Sequence, residues 1–76
     1  MTTRFKWVED GGDLHWNAPD GWPNAVVFWR VYPVGYGVSC SMSENGPDFT
    51  FKRVFKSKEA GVRAAEKWLS RRINQP

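Results

Sequence analysis

The chain has 76 residues, 41 % apolar and 25 % charged, a composition that reads as one folded domain over residues 1–76 and argues against a disordered chain. Its net charge of +3 is unevenly divided: residues 1–48 set Arg4, Lys6 and Arg30 against Glu9, Asp10, Asp13, Asp20, Glu44 and Asp48, whereas residues 49–76 carry eight Lys/Arg against Glu59 and Glu66. A lone cysteine, Cys40, excludes an intrachain disulfide, and no apolar run suits a signal peptide or a membrane span, so a reducing, cytoplasmic setting away from membranes is expected.

From the N-terminus, Phe5 and Trp7 alternate with Arg4, Lys6 and Val8 as in a strand, and Glu9-Asp10-Gly11-Gly12-Asp13 has the content of a hairpin loop, with Leu14-His15-Trp16 returning alongside. Residues 17–24, with Pro19, Asp20-Gly21 and Pro23, form an expected ordered connecting loop that carries Trp22. The run Ala25–Tyr32 is β-branched and aromatic, which suits a central strand covered on both faces or one with an aromatic outer face. Pro33-Val34-Gly35 is read as a turn. Tyr36, Val38, Cys40 and Met42 then alternate with Gly37 and three serines in a one-sided strand. An Asn45-Gly46 turn leads to Phe49, Phe51 and Phe55 in a last strand, whose pattern Arg53 interrupts near a sheet margin. Ser57 is placed to cap a helix running to about Arg72, within the bounds 57–73, that buries Val62, Ala65, Trp68, Leu69 and Ile73, with Gly61 and Ala64 on the shoulder of that face. The expected architecture is α+β: a small antiparallel sheet of three to five strands over residues 1–56, with one C-terminal helix across one face.

Catalytic chemistry has little to build on. Asp13 and His15 share a strand face and Ser39, Ser41, Ser43 and Cys40 are nucleophile types, but no nucleophile elbow accompanies them. Gly11-Gly12 and Gly35-x-Gly37 lack the residues of a phosphate or dinucleotide loop, and one His with one Cys cannot hold a metal. Neither a cofactor nor an enzymatic activity is expected. Cys40 reads as a small buried hydrophobe.

Binding surfaces are the stronger candidates, because twelve aromatic residues, five of them Trp, exceed what so small a core shelters. Trp22 with Glu9, Asp10, Asp13 and Asp20 forms an acidic, aromatic candidate for a basic protein surface, the structural alternative being a Trp that plugs the end of the core. Arg63, Lys67 and Arg71 recur every fourth residue along the helix and, with Lys52 and Lys56, form a candidate nucleic-acid contact, the alternative being ordinary solvation.

The segment FKRVFKSKEAGVRAAEKWL, residues 51–69, resembles the final strand and helix of AP2-type and integrase arm-binding domains, and that resemblance implies a DNA-binding sheet-plus-helix module; no contact residue is carried over. In size, aromatic surplus and lack of catalytic motifs the chain as a whole resembles the small orphan proteins of bacteriophages and mobile elements, including anti-CRISPR inhibitors. This implies a non-catalytic, stoichiometric inhibitor that occludes a site on a host protein or nucleoprotein complex, acting as a monomer or homodimer. The alternative is a DNA- or RNA-binding module that uses the basic C-terminal third.

Overall fold

The computed structural model describes residues 5–18, 21–45 and 48–73. Five strands, β1 (Val8–Asp10), β2 (Asp13–Asn17), β3 (Asn24–Val31), β4 (Val34–Ser41) and β5 (Phe49–Thr50), form an antiparallel meander in sequence order, and α1 (Lys58–Ile73) packs on one face over β3 and β4. This is the expected α+β architecture, at the upper end of the expected strand number. Among the described residues, no helix is long and apolar enough to cross a membrane.

Pairing register sorts the side chains. Leu14, Trp16, Ala25, Val27, Val38 and Cys40 fall on the helix side of the sheet, while Val8, His15, Val26, Ser39 and Thr50 form one cross-strand row on the other side. Val27, Val38 and Cys40 meet Ala65 and Leu69 of α1 in the buried core, closed at one end by Phe5 edge-on to Trp16 at 4.8 Å. Gly61 sets the helix height, since a Cβ there would lie 3.0 Å from Val27 and 3.3 Å from Val38. Ser57 caps α1 as expected, its hydroxyl accepting from the Ala60 amide at 3.2 Å.

Several boundaries depart from the sequence reading. Glu9, Asp10 and Asp13 are strand residues and not loop residues, because Gly11 and Gly12 both take positive φ and complete the turn by themselves, leaving Asp10 paired with Asp13. Regular pairing begins only at Val8, so Phe5 and Trp7 precede the first strand. Asn17 and Asn24 pair as strand ends, and the connection between them is closed by Ala18 N–H to Pro23 O and Gly21 N–H to Ala18 O. Tyr32 and Pro33 form the β3–β4 turn, so Val34 and Gly35 belong to β4. The last strand breaks after two residues: Phe51 N–H still bonds Val38 O, but Phe55 pairs with Tyr36, so two extra residues have entered the segment 52–54 and Lys52 and Arg53 bend outward. Gly46 of the expected Asn45-Gly46 turn and residues 74–76 lie outside the described residues.

A larger side chain at position 61 has to displace both Val27 and Val38. Gly61→Leu is expected to cost about 1–3 kcal/mol, and Leu69→Ala about 2–5 kcal/mol, in urea unfolding. An unchanged midpoint for Gly61→Leu would show that the helix does not sit where the close contact places it.

Candidate nucleic-acid interface

The sequence-predicted residues separate into three places. Asp10 and Asp13 pair beside the β1–β2 turn on the outer face of the sheet, while Glu9 points to the helix side and reaches Lys58 at 3.6 Å. Trp22, 38 % exposed, lies in the β2–β3 connection at the opposite end of β2, roughly 13 Å of strand away. The structure therefore does not bring Trp22 and these carboxylates into one surface, because a strand and not a loop stands between them; Asp20 lies outside the described residues. Arg63, Lys67 and Arg71 form the expected exposed ridge on α1, and Lys52 and Lys56 are exposed beside it in the chain. None of these five cations has an ion-pair partner among the described residues, where the one salt bridge is Lys58 to Glu9.

His15 does not meet a nucleophile. Val26 stands between it and Ser39 in the cross-strand row, which puts the two roughly 10 Å apart at the spacing of neighbouring strands. Ser39 instead shares a hydrogen bond with Thr50 at 3.3 Å, and the Ser41 hydroxyl donates to Asp48. No group of three His, Cys, Asp or Glu among the described residues is arranged to hold a metal ion. Burial pushes the Cys40 thiol up to about 11, with the Arg72 charge opposing that shift.

Phe49, Phe51 and Trp68, whose spacing in the sequence is that of core faces, instead form a partly exposed cluster with the cation Arg72. Phe49 and Trp68 stack at 5.4 Å with their planes 12° apart. The Arg72 guanidinium lies 3.8 Å from the Trp68 ring centroid, within cation–π range. Phe51 meets Phe49 edge-on at 5.0 Å. Phe49 remains 44 % exposed at the edge of the sheet. With Ala64, Lys67 and Arg71 these residues line a groove of about 390 Å3 between β5 and the C-terminal half of α1. Its lining holds three cations and no carboxylate, because Glu66 accepts from the Trp7 indole at 2.8 Å and Asp48 is held by Ser41. The i, i+4 spacing of Trp68 and Arg72 was a signal for this stack; their contact with Phe49 depends on how the helix lies over β5.

A second groove of about 580 Å3 lies between the N-terminal segment, β2 and the first half of α1. Phe5, Trp7, Leu14 and Val62 supply its apolar walls. Its rim is mixed in sign, with Glu9, Glu59 and Glu66 against Lys58 and Arg63. A third feature is the β3–β4 turn, where Val31 is 74 % and Tyr32 92 % exposed, and Trp29 packs edge-on to Tyr36 at 5.0 Å.

Comparison with protein-family models, curated proteins and solved structures finds no match.

The raised Cys40 value has a definite sign in stability. The unfolded chain loses the thiol proton near 9.0 and the folded chain near 11, so folding is opposed progressively as pH rises between them. The loss amounts to about 3 kcal/mol at most, at about 1.4 kcal/mol per pKa unit. Cys40→Ala lacks this component, and its stability deficit against the parent chain should shrink between about pH 8 and about pH 10 in urea unfolding. A deficit that is constant over that range would refute the burial argument.

Proposed function

We propose that the protein is a non-catalytic nucleic-acid-binding module whose contact surface is the basic edge formed by β5, the following bend and the C-terminal half of α1. The observation that carries this reading is the Phe49–Trp68–Arg72 stack in a groove rimmed by Lys67 and Arg71 and free of carboxylates. Cations alone are ordinary surface. Cations around partly exposed aromatic rings, with no acid to neutralise them, present both a phosphate-binding and a base-binding element.

The outer face of the sheet is a poorer candidate. It presents Asp10 and Asp13 together with Lys6, and its other cation Arg30 lies with Phe28 over Gly37, where a Cβ would come within 2.7 Å of both side chains. Charges of both signs thus meet on this face, whereas those lining the groove on the helix side are all positive.

A second reading, a stoichiometric inhibitor of the kind common among phage orphan proteins, draws on the β3–β4 turn. Trp29, Val31, Tyr32 and Val34 place exposed apolar groups together at one end of the molecule, the composition of a protein-interface anchor. This reading moves the expected protein contact from Trp22 and the acidic residues to the hairpin tip. Trp29→Ser combined with Tyr32→Ser is expected to leave nucleic-acid affinity within about twofold and to alter only protein association.

Fluorescence anisotropy with labelled DNA and RNA tests the first reading. Neutralising about three phosphates should weaken binding roughly 20- to 40-fold between about 50 and about 200 mM salt. The double substitution Lys67→Glu, Arg71→Glu should reduce the affinity at least about tenfold and flatten the salt dependence. Affinity indifferent to both salt and the substitutions would sink the nucleic-acid reading.

A further inference from the structure

We infer that the Phe49–Trp68 groove selects single-stranded over double-stranded nucleic acid, a base stacking on Phe49 while Lys67 and Arg71 meet the adjoining phosphates; this rests on the nucleic-acid reading of the same site. Trp68 is already enclosed in the stack, with Phe49 over one face and the Arg72 guanidinium over the ring. Phe49 is its open end, contacted by Phe51 only edge to face and 44 % exposed. A further flat ring laid on Phe49 extends the stack and removes that apolar surface from water.

Charge and shape then separate the ligand classes. A duplex satisfies the cations but keeps its base faces inside its own stack, so Phe49 gains nothing from it. An acidic peptide satisfies the cations and offers no obligatory flat ring. A single strand supplies phosphates and unstacked bases at once. The groove, at about 390 Å3, has the dimensions of a small-ligand pocket and suits a splayed nucleotide better than the width of a helix. Lys67 and Arg71 are one helical turn apart and unpaired among the described residues, so successive phosphates can be followed along α1. The hairpin tip, by contrast, is apolar with nothing beside it that specifies what covers it.

The test is anisotropy of the full chain with a labelled oligothymidine of about 12 nucleotides and with a duplex of the same length. The parent chain and the variants Phe49→Leu, Phe49→Tyr and Lys67→Glu/Arg71→Glu are compared, each checked for an unchanged thermal transition. The parent should prefer the single strand. Phe49→Leu should weaken single-strand binding roughly 5- to 100-fold while leaving the duplex within about twofold, and Phe49→Tyr, which keeps a ring, should retain most of the affinity. Equal affinity for both forms, with Phe49→Leu affecting them alike, overturns the selectivity and leaves the nucleic-acid reading standing. Absence of binding to either form at about 50 mM salt, where phosphate contacts are strong, overturns both. Displacement of the oligothymidine by polyglutamate at equal charge concentration would make the groove an anion site indifferent to bases and overturn the inference.

Discussion

The close seating of α1 on the sheet at Gly61 governs the rest of the molecule. Without a side chain at that position the helix backbone descends onto Val27 and Val38, and this brings Ala65 and Leu69 into the same layer as Cys40. The fully buried residues are few and mostly small, as expected for a chain that shelters only ~60 % of its unfolded surface. Aromatic rings at both ends extend the core: Phe5 on Trp16 at one, Phe49 on Trp68 at the other. The second cluster is only partly covered. The surface that helps hold the helix down is therefore the same surface that faces the basic groove.

The break in the last strand lies just beyond the groove residues Phe49 and Phe51. Had β5 continued in register, Tyr36 would face Arg53; with two residues inserted, Tyr36 pairs with Phe55. Phe55 is thereby buried and Arg53 stacks over its ring at 4.9 Å, while Lys52 swings clear. A regular strand would have alternated its cations between the two faces of the sheet. The bulge instead leaves both exposed in the bend, Arg53 against Phe55 and Lys52 in solvent.

Much of the architecture was legible in the sequence because local chemistry decides it. Ser57 and the spacing of Val62, Ala65 and Leu69 define the helix, and the alternation at Tyr36, Val38 and Cys40 defines β4, without reference to any distant residue. The β1–β2 turn was misplaced because Asp is as common in turns as Gly, and only the positive φ of Gly11 and Gly12 reveals that two residues suffice. The site was less legible for a different reason. Phe49 and Phe51 continue the spacing of a core face, and Trp68 falls on the apolar arc of its helix; their partial exposure follows from β5 being a short edge strand against the last turns of α1. Tertiary position, and not residue type, distinguishes a core ring from a surface one here.

Charge segregation along the chain becomes segregation in space, which gives the modest net charge a larger meaning. Asp10 and Asp13 gather beside the β1–β2 turn, and Glu9 is neutralised by Lys58. Lys67, Arg71 and Arg72 gather at the other end of α1 from Lys58, where the described residues offer them no salt-bridge partner. A polyanion approaching this protein meets attraction at one edge and repulsion at another, so the field orients the encounter before any contact forms. The hairpin tip lies beyond that field. Six residue steps of β4, roughly 20 Å, separate Val34 at the tip from Cys40, which pairs with Phe49. An apolar contact at one end and an electrostatic contact at the other can thus be made at the same time, without either displacing the other.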